Sequence, residues 1–300
     1  MWSFGHQNWI RYGWGDKFSS EFNGKDNLHI DFRNYAVPSV KLRAMDAALL
    51  TIETITRTYP PPYTLMCSGG IDSQAMLWAW KCSGVPFTLL SARYVSNGIF
   101  FNEHDTYMLS KFSEVHSIPI NFKVFDVVHF LENELAEIAQ KYQSGSPQVS
   151  THIKLTDFVT EGTIIFSGNY IIKYHNRDMA WLNWVILAMQ RYSDYLKKTN
   201  SPKQVVPYFF LHRPELAYGF EPGPSTRNYE LNGFPVLQPE RKYTGFEKLK
   251  EYYDQFYDRV PPKTRLMYQS MPSKRAFDLL FRYPYGINMI ENPIFYLLKL

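Results

Sequence analysis

The sequence predicts an α/β fold: a parallel sheet with helices on both faces, followed by a smaller, mostly helical and irregular C-terminal region. Three observations predict it. Short apolar runs alternate with segments of helical period, the pattern of a sheet buried between covering helices. The first of these runs leads through a glycine pair directly into a helix. The 300 residues are 45% hydrophobic and 20% charged, without a long low-complexity stretch, so the chain can bury a full core.

The elements follow in chain order. Residues 1–37 are rich in aromatics, Gly and Asn, and read as an extended or short-stranded lead-in. Leu42, Met45, Leu49, Ile52 and Ile55 recur at helical spacing between Val40 and Thr58. Pro60-Pro61-Pro62 stops that helix. Tyr63–Cys67 reads as a buried strand, Ser68–Ser73 as a tight turn and Gln74–Cys82 as a helix. Phe87–Tyr94 is a second strand, His104–His116 a helix and Ile120–Phe125 a third strand. Phe130–Tyr142 reads as one helix, and Leu155–Thr160 as the end of another. Thr163–Phe166 is a fourth strand, closed by the turn Ser167-Gly168-Asn169, and Met179–Lys197 is a strongly periodic helix. From about residue 200 the pattern weakens under frequent prolines, with helices expected at Phe246–Tyr257 and Lys274–Phe281. The organisation is an extension over 1–37, an α/β domain over 38–200 and a region over 201–300 that completes the site.

Composition excludes several classes. The net charge of +4, from 32 basic and 28 acidic residues, is too mild to indicate nucleic acid binding. Aromatics reach 17%, which fits an aromatic core first and a contact surface second. The two cysteines, Cys67 and Cys82, are spaced neither as a zinc knuckle nor as a redox pair and read as small hydrophobes. The eight histidines show no zinc-ligand spacing. The N-terminus has no apolar signal-peptide core, and no apolar run approaches the ~20 residues that span a bilayer. A soluble cytoplasmic protein is expected, without membrane attachment.

The chemistry concentrates in Ser68-Gly69-Gly70-Ile71-Asp72-Ser73. Gly69 and Gly70 allow backbone angles closed to other residues and let N–H groups approach an anion without a Cβ in the way. The following helix turns its positive end toward the same point. Ser68 and Ser73 add hydroxyls. A lone Asp72 would repel a bare phosphate, so its place here points to a Mg²⁺ between carboxylate and phosphates. The loop is neither a Walker A sequence nor GxGxxG.

All six positions closely resemble the SGGxDS loop of the PP-loop ATP pyrophosphatases. The resemblance implies the adenine nucleotide alpha hydrolase-like (HUP) fold, ATP and Mg²⁺ as ligands, and a loop that holds the β- and γ-phosphates as they leave as pyrophosphate. Over roughly residues 60–180 the order of elements is similar to the asparagine-synthetase-like branch, including the helix-opening segment Asn102-Glu103-His104-Asp105. The resemblance implies that Ser91 and Arg93 lie at the adenosine site, that Ser167 and Gly168 form the fourth strand's turn, and that Arg241 and Lys242 supply late cations to the phosphates. Lys173 and Arg177 are further candidates near the cleft, against the plainer reading of surface cations. His212-Arg213-Pro214-Glu215 follows an apolar run and is a candidate against ordinary helix capping.

Two departures narrow the substrate. Asparagine synthetases carry SGxGxDE after the fourth strand, whereas this chain reads Ser167-Gly168-Asn169-Tyr170-Ile171-Ile172 without the acidic pair. No N-terminal catalytic cysteine of a glutaminase is present, because position 2 is Trp. Cysteine count argues against sulfonucleotide reductases, tRNA thiolation enzymes and cyanodeazaguanine synthases. The expected function is an AMP- and pyrophosphate-forming ligase that adenylates a small-molecule carboxylate or carbonyl for attack by an amine. The amine comes from solution or from a glutaminase or other amine-donor partner, and a homodimer is compatible with the sequence. The alternatives are a non-catalytic nucleotide-binding or assembly protein and a nucleobase- or tRNA-modifying enzyme.

Overall fold

The structure, a computed structural model, describes residues 11–14, 28–31, 42–96, 98–100, 102–142, 147–167, 188–219, 230–231 and 234–235. Five strands form one parallel sheet: β3 (Tyr63–Met66), β4 (Thr88–Ser96), β6 (Ile120–Asp126), β7 (Gly162–Phe166) and β8 (Lys203–Val206). Their spatial order is β6-β4-β3-β7-β8, and the two-residue β5 (Ile99–Phe100) pairs antiparallel with the far end of β4. Every residue of β3 and of β7 is buried, which is why both are continuous apolar runs rather than alternating ones. Two short antiparallel pairs are also described, β1 (Arg11–Trp14) with β2 (Leu28–Asp31) and β9 (Glu230–Leu231) with β10 (Phe234–Pro235).

Helices cover both faces of the sheet. On one face lie α1 (Ala44–Thr58), α2 (Ile71–Ser83) and α3 (Glu103–His116), packed on Leu65, Leu89, Ile165 and Val206. The buried positions of α1 are 44, 47, 48, 51, 52 and 55, one continuous stripe at helical spacing. Trp80, Phe112, Phe209, Phe210, Ile52 and Ile55 are fully buried here, each contributing about 1.5–3 kcal/mol of transfer free energy. On the other face lie α4 (Val127–Asn133), α5 (Leu135–Tyr142), α6 (Pro147–Leu155) and the helix over 188–198, α7. Phe130 of α4 packs on Phe125, His152 of α6 stacks on Phe166, and Ser193 of α7 bonds Val205 O. The short α8 (Pro214–Gly219) returns against α1.

The structure departs from the sequence reading in four places. The helix expected over 130–142 is two, broken at Glu134, whose backbone leaves helical angles at φ −122° and ψ −25°. The helix expected to end within 155–160 ends at Leu155, and a single 3₁₀ turn, Thr156–Phe158, follows it. The turn after β3 is already helical from Ile71, so Asp72 and Ser73 belong to the first turn of α2. The sheet continues past residue 200 through β8, which bonds in register with β7. Residues 179–187 of the periodic helix and the segments expected to be helical over 246–257 and 274–281 lie outside the described residues. Among the described residues, no helix is long and apolar enough to cross a membrane.

Candidate functional site

The chain runs from β3 to β4 to β6 in one direction, then crosses back to β7 and β8 on the other side of β3. The connections leaving β3 and β7 therefore diverge to opposite faces. Ligands in open α/β sheets bind in the crevice that such a reversal leaves beyond the carboxyl ends of the strands. The Ser68–Ser73 segment leaves β3 at this point. The register Met66↔Phe166 puts Ser167 at the same end, next to the start of the loop. Gly168 lies outside the described residues, as do Lys173, Arg177, Arg241 and Lys242.

The loop is held from below by α2. Gly69 takes φ +98°, a left-handed conformation that favours glycine. Its N–H donates to Ser73 Oγ at 3.0 Å, and Ser73 Oγ donates to Gly70 O at 2.8 Å. Gln74 Nε2 donates to Gly69 O at 2.6 Å. Gly70 is the N-cap residue of α2, and its carbonyl takes the first helical bond from Gln74 N–H at 3.0 Å. Ser68 Oγ, on the exposed rim, accepts the Gly70 N–H at 3.3 Å. Ser73 is buried, with its hydroxyl spent on the loop itself. The hydroxyl expected as a ligand donor is therefore an internal brace, and Ser68 is the hydroxyl on the open side. The first-turn N–H groups of α2 have no acceptor one turn back, and they open toward the crevice with the positive end of the helix. Asp72 sits in that turn, described in its backbone only.

The wall on the β4 side is built differently. β4 outruns β3: after Met66↔Leu90 only Cys67 N–H continues the ladder, to Leu90 O at 3.0 Å. Beyond that point Asn102 takes the place of a strand. Its amide donates to Ala92 O at 2.8 Å and its carbonyl accepts the Tyr94 N–H at 2.9 Å. Asn102 is thus a side-chain extension of the sheet as well as the residue before α3. Ser91 is buried at this strand end, and its Oγ has no partner among the described residues. Arg93 is exposed on the same face of β4, its guanidinium 4.2 Å from the centre of the Phe122 ring. The loop, Ser91, Arg93 and Ser167 therefore share one end of the sheet.

Other expectations fall elsewhere. His212 is buried, its ring 6.2 Å from that of Tyr59, so it packs against the residue that caps α1. Arg213 pairs with Glu215 at 2.8 Å and donates to Thr54 of α1 at 3.1 Å, so both charges are used in docking α8. The Cys67 thiol is buried against Ser73 O, and burial pushes its pKa up, which makes it a poor nucleophile. Cys82 is exposed on α2, one residue from its end. Among the described residues, no cluster of three His, Cys, Asp or Glu could hold a metal by itself. A single Asp beside phosphates fits a Mg²⁺ that takes its other ligands from phosphate and water.

No protein family and no curated protein matches the chain. Among solved structures it is similar to the U34-tRNA thiolase NcsA from Methanococcus maripaludis, determined with its 4Fe–4S cluster. The identity is 12%, the TM-score 0.33, and the match covers 82% of this chain and 81% of that one. No residue role follows from so distant a likeness.

Proposed function

We propose that this protein is a PP-loop enzyme of the adenine nucleotide alpha hydrolase-like (HUP) fold that binds ATP at Ser68–Ser73 and cleaves it to AMP and pyrophosphate, activating a substrate for attack by an amine. The observation that carries the reading is the braced loop at the carboxyl end of the central strand. There Gly69 at φ +98° and the first turn of α2 turn N–H groups toward the reversal point of the sheet. An anion there meets N–H donors and the positive end of a helix without a Cβ in the way.

The residues divide the work. Gly70 and the first-turn N–H groups of α2 hold the β- and γ-phosphates, and the rim hydroxyl of Ser68 adds a donor. Asp72 would hold Mg²⁺, whose charge would screen that of the phosphates. Ser91 and Arg93 line the side of the crevice toward the nucleoside. A substrate carboxylate or carbonyl oxygen attacks the α-phosphorus, the α–β bridging bond breaks, and pyrophosphate leaves with that electron pair. The amine then displaces AMP. Arg241 and Lys242 are the cations proposed to oppose charge on the phosphates.

A second reading, nucleotide binding without turnover, is favoured by the absence of an acidic pair at Ser167-Gly168-Asn169-Tyr170. Incubation with ATP·Mg²⁺ and a panel of carboxylates and amines separates the two. The enzyme releases pyrophosphate with at least one pair, whereas binding by calorimetry with no pyrophosphate for any pair supports the second reading. ADP and orthophosphate as the products refute the first.

A further inference from the structure

We propose that Gln74 is a positioning residue that aims the Gly70 N–H at the bound phosphates; this rests on the reading of Ser68–Ser73 as an ATP site. The two peptide units flanking Gly69 are each held by a side chain of the first turns of α2. Ser73 Oγ takes the N–H of one at 3.0 Å, and Gln74 Nε2 reaches the C=O of the other at 2.6 Å. In a trans peptide the C=O and N–H point in opposite directions. The Gly69 carbonyl and the Gly70 N–H belong to one such unit, so drawing the carbonyl down to the buried Gln74 turns the Gly70 N–H up and out. What meets that N–H is only the hydroxyl of the exposed Ser68, at a long 3.3 Å. A phosphate oxygen would exchange readily with it.

The side chain is costly in its place, which argues that the bond is what keeps it. Gln74 is wholly buried, and its Oε1 has no hydrogen-bond partner among the described residues. Buried acceptors left without a donor are rare and destabilising. An aliphatic side chain of similar size would avoid that cost. Only one orientation of the amide makes a bond, because the other sets two oxygens against each other. Ser73 holds the peptide units before and after this one and reaches the Ser68 hydroxyl at 3.4 Å, so the Gln74 amide is the α2 side chain that bonds directly to the unit carrying the Gly70 N–H.

Gln74→Met keeps the volume and removes the donor. Amide hydrogen exchange at Gly69 and Gly70 is expected to rise about tenfold or more, while amides of α2 after Ala75 exchange as in the wild type. The Kd for ATP·Mg²⁺ is expected to rise about tenfold, the loss of one hydrogen bond to a charged acceptor. In turnover KM rises and kcat holds, since the contact is made before and during reaction. A purely structural role gives the reverse, a smaller active fraction with kcat lowered and KM unchanged, and that result overturns the proposal. So does loop exchange unchanged from wild type, or a Kd within about twofold of it. If Gln74→Met does not fold, Gln74→Leu carries the same expectations. If the wild type itself binds no ATP·Mg²⁺, the proposed function fails, and the exchange data alone decide whether Gln74 holds the loop.

Discussion

Gly162 opens β7 and fixes how that strand meets β3, so replacing it tests the frame that holds the site. Its φ is +81°, in the region that L side chains rarely adopt. A Cβ built there would lie 2.1 Å from Pro62 O, 2.7 Å from Pro62 Cδ and 2.8 Å from Pro62 N. These atoms cannot yield separately. Pro62 O accepts the Thr163 N–H at 2.8 Å, Gly162 N–H donates to Pro202 O at 3.1 Å, and Thr163 Oγ1 donates to Pro60 O at 2.7 Å. Gly162→Ala therefore adds backbone strain of about 1–2 kcal/mol to an overpacking cost of about 1–3 kcal/mol. The expected total is about 3 kcal/mol. Gly84→Ala is the control: φ is +72°, but no atom lies within 4 Å of the new Cβ, so only the strain remains. Urea denaturation of both variants should show Gly162→Ala less stable than Gly84→Ala by about 2 kcal/mol with unchanged m. Equal losses, within about 0.5 kcal/mol, would refute the close approach of β7 to the Pro60–Pro62 segment.

Two other outcomes follow from groups outside the loop. Asn102→Ala leaves Ala92 O and the Tyr94 N–H without their partners beside the crevice, and should cost about 2–3 kcal/mol in urea denaturation. Asn102→Asp, which keeps the acceptor for Tyr94 but sets a buried carboxylate oxygen against Ala92 O, should cost at least as much. His212 gives a pH dependence. Burial, then the neighbouring Arg213 cation, pushes its pKa down to about 4 in the folded protein. The unfolded chain, with a His pKa near 6.5, binds the proton first as pH falls, so stability is complete above about pH 6.5 and is lost toward pH 4. Between pH 7 and 5 this loss is about 2 kcal/mol, and His212→Phe should remove that part of the slope; an unchanged slope contradicts a neutral buried imidazole.

The sheet was legible where the chain had to be buried on both faces. β3, β4, β6 and β7 are apolar runs with turn or helix signals around them, and each lies within two residues of its expected position. β8 was not, because Lys203-Gln204-Val205-Val206 is four residues long, half polar, and caught between Pro202 and Pro207. The break at Glu134 left no trace in periodicity, since apolar spacing continues through Phe130, Leu131, Leu135 and Ile138. In the site, residue types at Ser68–Ser73 indicated an anion loop, but not which hydroxyl faces outward. That depends on Ser73 lying one helical turn below Gly69. Gln74 and the sheet-extending bonds of Asn102 depend on where two side chains end in three dimensions, and no spacing encodes that. His212 and Glu215 looked like strand-end residues, yet the chain turns back after Phe209 and carries them to α1.

The products formed from ATP labelled at the α-phosphate test the central claim most directly. The wild-type protein, given Mg²⁺ and a reactive carboxylate–amine pair, should yield labelled AMP and an equal amount of pyrophosphate. Asp72→Ala should lower that yield at least about 100-fold, through loss of a metal ligand at the phosphates, and excess EDTA should abolish it. Labelled ADP with orthophosphate, or AMP formation that persists in Asp72→Ala, would contradict it.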